Sequence, residues 1–317
     1  IRPLNREAME SAGKRWDSIA KPLHSLGKME DLVIQIAGIQ ETPDISVKKR
    51  ALVSMCADNG VVEEGVTQTG QEVTAIVAEN FLSGDTSACV MCRQCGTDVF
   101  PVDVGMVVNT KVPTDLKVAM GTKNMTKEPA MTREEAIKGL EAGIEMVRRL
   151  KEKGYTLLAT GEMGIGNTTT SSAVASVLLD EPVEKMTGRG AGLSSEGLNR
   201  KIAAIKKAVE VNKPDPSDAI DVLAKVGGFD IAGMAGGFLG GAALRVPVVI
   251  DGFISCVSAL IAKKICPTAG DYMIASHVSK EPAARLLLEV LEKKAVIHGD
   301  MCLGEGSGAV ALFPYID

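Results

Sequence analysis

Apolar positions along this chain switch between two rhythms, and the switches divide it into alternating elements. Residues 5–40 read as helices. Within Glu30 to Ile39, Leu32, Ile36 and Ile39 fall at helical spacing, with Val33 and Ala37 beside them. Thr42-Pro43-Asp44 breaks that pattern. The apolar run Ala51 to Ala57 then reads as a buried strand entering a turn at Asp58-Asn59-Gly60. Helix is expected over 71–95 around a cap-like Ser83-Gly84-Asp85, and a second strand over Asp98 to Val104, ending at Asp103 and Gly105. A loop covers 107–131. Thr132-Arg133-Glu134-Glu135 is a capping box that opens a helix to about Lys153. Tyr155 to Thr160 is a strand running into a Gly- and Thr-rich turn and a helix. Another helix starts at Ser194-Ser195-Glu196. Val246 to Ile250 and Tyr272 to His277 read as strands, and a long helix is expected over about 281–293.

This alternation predicts an α/β fold: a doubly wound, mostly parallel sheet flanked by helices. A small helical subdomain is expected from the two termini, residues 1–40 plus about 281–300. Residues 41–280 plus 301–317 would form the large Rossmann-like domain that carries the active site. In such sheets the ligand crevice lies at the carboxyl ends of the strands. Asp58, Asp103, Glu162, Asp251 and Ser279, each at or just past a strand end, are therefore expected to face one cleft.

Composition narrows the function classes. Of 317 residues, 45% are hydrophobic and 24% charged, enough for a sizeable core. The 33 glycines and only 3% aromatics suit helices packed closely on a parallel sheet. A net charge of −5 argues against a nucleic-acid groove, which needs a basic patch. The 7 cysteines are odd in number, and Ile1-Arg2-Pro3-Leu4 has no secretory pattern, so a reduced, cytoplasmic setting is expected. The longest apolar run, Val246 to Ala262, is interrupted by Pro247, Asp251 and Gly252 and reads as buried strand and helix rather than a membrane span.

The strongest chemical signal is Gly161 to Thr170: a strand, three glycines, then Asn167 and three threonines opening a helix. Helix N-terminal N–H groups and the helix dipole favour an anion there, and glycines let backbone approach it. No Lys follows the last Gly, so this is not a Walker loop. The alternative is an ordinary strand-to-helix turn capped by Thr. A second signal is Gly304-Glu305-Gly306, a carboxylate on permissive backbone, suited to a general base or equally to a surface turn. Glu162 beside the phosphate loop could hold a ribose hydroxyl or raise the pKa of Glu305, or be a solvated turn residue. Lys201 could reach a phosphate, though spacing alone favours a solvated Lys like Lys206 and Lys207. Cys89, Cys92 and Cys95 form a C-x-x-C-x-x-C on a helical segment, which reads as buried thiols rather than a cluster site. His24, His277 and His298 lack metal spacing, and no Gly-x-Ser-x-Gly elbow is present. His277, near Ser279, could line the cleft.

Glu162-Met163-Gly164-Ile165-Gly166-Asn167-Thr168-Thr169 together with Leu303-Gly304-Glu305-Gly306-Ser307-Gly308 resembles the nicotinate-nucleotide–dimethylbenzimidazole phosphoribosyltransferase family. Lys21-Pro22, Ser25-Leu26-Gly27, Ala57-Asp58, Gly60-Val61-Val62, Glu72-Val73-Thr74, Val102-Asp103-Val104-Gly105 and Asp251-Gly252-Phe253-Ile254 extend the resemblance over the whole chain. It implies a six-stranded sheet, a dimer, and no metal or other cofactor. It also implies transfer of phosphoribose from nicotinate mononucleotide to the lower-ligand base of a cobamide. Glu305 would be the general base, with Glu162 also catalytic. Gly164, Gly166, Asn167, Thr168, Gly190, Lys201, Gly252 and Ser279 would hold the nucleotide. Thr69, Met163 and Leu303 would line the acceptor pocket.

Some positions depart from the family pattern: Asn59 where many members carry His, His24 where they carry Gly, and Ala283-Ala284 in place of Gly-His. The stretch Thr67 to Gln71 near the acceptor pocket also differs, and Cys56, Cys256 and Cys302 fall near pocket positions. The acceptor therefore stays open between a benzimidazole-type base, a purine and a phenol or cresol. The partner stays open between a second copy and a paralogous chain. A phenol-activating subunit of a heterodimer and a catalytically silent nucleotide-binding paralogue are the competing readings. Apart from the resemblance, a generic nucleotide-dependent α/β enzyme such as a kinase also stands, weakened by the missing Walker Lys.

Overall fold

A computed structural model describes residues 1–317. Five strands form one wholly parallel sheet: β1 (Arg50–Ala57), β2 (Asp98–Gly105), β3 (Leu157–Met163), β4 (Val248–Ile250) and β5 (Met273–Ala275), in spatial order β2-β1-β3-β4-β5. The sheet has five strands, not the six that the resemblance implies; beyond β5 there is an isolated parallel bridge, His277 to Ile297.

Strand side chains alternate between two cores, as the period of two requires. Val53, Met55, Leu158, Val248 and Ile250 enter the larger core, under helices 133–152, 229–244 and 253–265. Leu52, Leu157, Ala159, Val249 and Ile274 face the other way, against Leu32 and Ile36, Phe81, and Phe313 of the last helix. The N-terminal helices dock on the sheet edge: Gln35 donates to the carbonyls of Asp271 and Met273 (2.8 and 2.9 Å), just before and at the start of β5. The C-terminus is tied to β1 by a two-pronged Arg50–Asp317 pair (2.7 and 2.8 Å).

Thr132 caps helix 133–152 in the expected box, with Glu135 returning the bond. The segment 71–95 forms two helices, Glu72–Ser83 and Ser87–Gln94, separated at Gly84, with Thr86 rather than Asp85 as the second cap. β3 runs three residues further than the expected strand, so Gly161, Glu162 and Met163 are strand and not turn. The expected long helix at 281–293 shrinks to Ala284–Val290, because Glu292 turns left-handed (φ 58°) and ends it.

The most buried helix, Phe229–Leu244, has no sequence signal of comparable strength. Its glycines at 233, 236, 237, 240 and 241 look like helix breakers. All but Gly237 serve close packing instead. A Cβ on Gly236 would lie 1.9 Å from the Leu140 carbonyl oxygen, and one on Gly143 would lie 1.9 Å from that of Gly233. No helix is long and apolar enough to cross a membrane.

Candidate active site

Strand order reverses direction between β1 and β3, and the main cleft opens at the carboxyl ends of β3, β4 and β5, beside that reversal. Its volume is about 320 Å³. Loops following β3, β4 and β5 form its floor. The segments 66–69, 189–193 and 302–305 close its sides.

One half of the cleft is built on helix Asn167–Leu179. Gly166, at φ 93°, is its N-cap and brings no capping side chain; the Asn167, Thr169 and Thr170 N–H groups return to the Gly164 and Gly166 carbonyls, which leaves the Thr168 N–H without a backbone partner. Gly164 is required by crowding. A Cβ there would lie 2.5 Å from Asp230 Oδ2 and 2.6 Å from the Ala57 carbonyl. Thr168 Oγ1 accepts from Lys201 Nζ at 2.8 Å, which leaves its own proton free for a ligand oxygen. Lys201 is wholly buried, and its Nζ also donates to the Gly188 carbonyl (3.1 Å). Spacing alone groups it with solvated lysines, but its helix turns this one side chain inward. Burial pushes its pKa down to about 8, against the opposing pull of Glu281. Gly190, at φ 53°, leaves open the space beside Thr168 Oγ1 and Lys201 Nζ. Gly252, Ser279 and His277 line the same wall, the last in agreement with its expected place in the cleft. His277 Nδ1 pairs with Ser276 Oγ (3.0 Å), and burial lowers its pKa.

Glu305 and Glu162 line the same cleft, Glu162 directly beside Asn167. Glu305 sits at φ 62° between Gly304 (89°) and Gly306 (90°), three consecutive left-handed residues. Its carboxylate accepts from the Ala88 N–H at the start of helix 87–94 (3.1 Å). Gly161 leaves room for the Glu305 carbonyl, 2.6 Å from where a Cβ would stand. Glu162 is buried, not a solvated turn residue, and its Oε1 accepts from the Glu305 N–H (3.4 Å). Its Oε2 accepts from Asn167, whose amide also donates to Asp230 Oδ2 (2.9 Å). Burial, reinforced by the neighbouring Asp230 carboxylate, pushes Glu162 up to about 8. The sequence suggests Glu162 acting on the pKa of Glu305; in the structure the large shift falls on Glu162.

Thr69, Met163 and Leu303 also line the cleft, with Leu303 exposed at the mouth beside Cys302. Cys56 and Cys256 are buried away from it. Two expected cleft residues are not there. Asp58 and Asp103 are fully buried turn anchors. Asp58 accepts from the Val107 N–H (2.8 Å), and Asp103 accepts from Gly105 and Met106 and pairs with Lys117 (3.1 Å). Cys89 and Cys92 pack in the smaller core, as buried thiols on a helix.

Sequence reasoning missed Asp230, Arg189 and Glu281. Asp230 did leave a signal, as the single charged residue in the apolar run Phe229 to Leu244. A lone carboxyl in a buried helix needs a partner, and here that partner is Asn167.

Comparison with known proteins settles the family. A family model described as "Phosphoribosyltransferase" matches residues 1–317. The nicotinate-nucleotide–dimethylbenzimidazole phosphoribosyltransferase of Ruminiclostridium cellulolyticum is 53% identical, covering 100% of this chain and 91% of that protein. Its namesake in Alkaliphilus metalliredigens is 48% identical over 100% and 92%. This chain belongs to the nicotinate-nucleotide–dimethylbenzimidazole phosphoribosyltransferase family. It is a pentosyltransferase. The crystal structure of CobT from Thermus thermophilus superposes with a TM-score of 0.93 at 38% identity, covering 98% of this chain and 94% of that one. The α/β architecture read from the alternating pattern is thus that of a solved relative.

Proposed function

We propose that this enzyme transfers phosphoribose from nicotinate mononucleotide to the lower-ligand base of a cobamide, releasing nicotinate and forming an α-riboside phosphate, with Glu305 as general base. One observation supports the reading: the glycine- and threonine-rich helix start at Gly164 to Thr168 and the Glu305 carboxyl line one cleft. The names of the relatives supply the substrate classes.

The chemistry follows from the groups present. The donor phosphate rests at the helix start, on the Thr168 N–H and hydroxyl and on the Lys201 charge, with Gly164, Gly166, Asn167, Gly190, Gly252 and Ser279 around it. Nicotinate on ribose is a cationic pyridinium and leaves as a neutral ring, so its departure needs no proton. The developing positive charge at the anomeric carbon is favoured by the Glu305 carboxylate. The acceptor nitrogen attacks from the face opposite the leaving group, which inverts the configuration. Glu305 takes the proton that the acceptor's ring N–H must lose for the product to be neutral at the base. The acceptor ring lies against Thr69, Met163 and Leu303. A cytoplasmic setting and a dimer, with a second copy or a paralogous chain, belong to the same proposal.

Glu305→Gln keeps the shape and removes the base. Turnover should fall by about 10²–10⁴-fold while nicotinate mononucleotide still binds within a few-fold of the parent. Calorimetric titration beside a nicotinate-release assay reads both. Full activity in the variant would end the Glu305 assignment.

A further inference from the structure

Glu305 occupies a conformation that its own residue type disfavours, since a left-handed backbone brings a Cβ too close to the following carbonyl oxygen. Something must hold it. The grip comes from two buried carboxylates. Glu162 accepts the N–H of residue 305 itself. Asp251, at the end of β4, accepts the Gly306 N–H with Oδ2 (3.1 Å) and the Ala309 N–H with Oδ1 (3.0 Å). Asp251 is in turn fixed: its own N–H donates to Ser255 Oγ (3.1 Å), which pairs with Thr160 Oγ1 on β3 (2.6 Å). Gly308 lets the turn come this close. A Cβ there would lie 2.0 Å from His277 Nδ1 and 2.8 Å from Asp251 Oδ1.

We infer that Asp251 is a positioning residue for Glu305: by clasping the backbone on its C-terminal side, it aims the Glu305 carboxylate into the cleft. The inference rests on the reading of Glu305 as the base. Asp251 spends both carboxylate oxygens on backbone N–H groups, so it acts on the reaction through the turn and not through a bond to the reacting atoms.

The test is Asp251→Asn, which keeps the volume but turns one acceptor into an amide facing a backbone N–H. A misplacement of about 1 Å at a reacting group can cost on the order of 10²-fold in rate. Asp251→Asn should therefore lower kcat by about that factor while the Kd for nicotinate mononucleotide stays within about threefold. In a double-mutant cycle with Glu305→Gln, the Asp251 change should cost little more once the base is gone. If Asp251→Asn does not fold, Ser255→Ala decides. It leaves the carboxylate in place and loosens its anchor, and it should give a smaller loss in kcat, again without a change in Kd.

A folded Asp251→Asn with parental kcat overturns the inference, as does an equal loss of kcat and of nucleotide binding. For Ser255→Ala, an unchanged kcat has the same force. The parent reading fails separately: a fully active Glu305→Gln removes the base, whatever Asp251 does.

Discussion

Lys201 is fully buried, with one hydroxyl and one carbonyl as partners, and its pKa is pushed down to about 8. In the proposed complex the donor phosphate would add its negative charge to the pull of Glu281. Because the lowered group is charged below its folded pKa and neutral above it, affinity for nicotinate mononucleotide should weaken as pH rises through about 8. Lys201→Met should bind more weakly at pH 7 and lose that pH dependence, as titrations at several pH values will read. This lysine also shows where residue-level reading ends. Its spacing is that of its solvated neighbours Lys206 and Lys207, and only the turn of the helix against Thr168 separates them. Glu162 and Glu305 were recognisable from motif and glycine context, but the raised pKa of Glu162 comes from its burial, reinforced by Asp230 far along the chain and in a different helix.

At the scale of elements, strands and capped helices were legible because their signals are local. The Thr132 capping box and the apolar run at β1 each carry their own explanation within a few residues. Helix 229–244 was not, because its glycines answer a partner helix and not a local preference. Their role makes a stability test. Gly236→Ala would drive a methyl into the Leu140 carbonyl, and neither backbone can yield cheaply. The variant should lose at least about 1–3 kcal/mol, measured by urea unfolding. A neutral result would show that the two helices can slide apart without cost.

Across the whole molecule, three buried carboxyls converge near the strand ends. Burial is the leading cause of each shift: Glu162 to about 8, Asp251 to about 7 and Asp230 to about 6. A carboxyl whose folded pKa is raised contributes stability that is full below its unfolded pKa and is lost as pH rises through the folded value. For Glu162 that window runs from 4.5 to about 8. The Tm difference between Glu162→Gln and the parent should therefore shift in favour of the variant as pH rises across it, read by thermal unfolding at several pH values spanning that window. A constant difference would place a charged Glu162 in the fold throughout. Three raised carboxyls in one region are what a site maintained for its chemistry shows.

The central claim is the reaction itself. The decisive measurement incubates the purified chain with nicotinate mononucleotide and, in separate tubes, dimethylbenzimidazole, adenine, phenol and p-cresol, following nicotinate release and product mass. The account expects nicotinate and an α-riboside phosphate in equal amounts with at least one acceptor, and the productive tube names the acceptor class. No product in any tube, from folded chain that still binds the nucleotide, would contradict it and leave a silent paralogue or a subunit awaiting its partner.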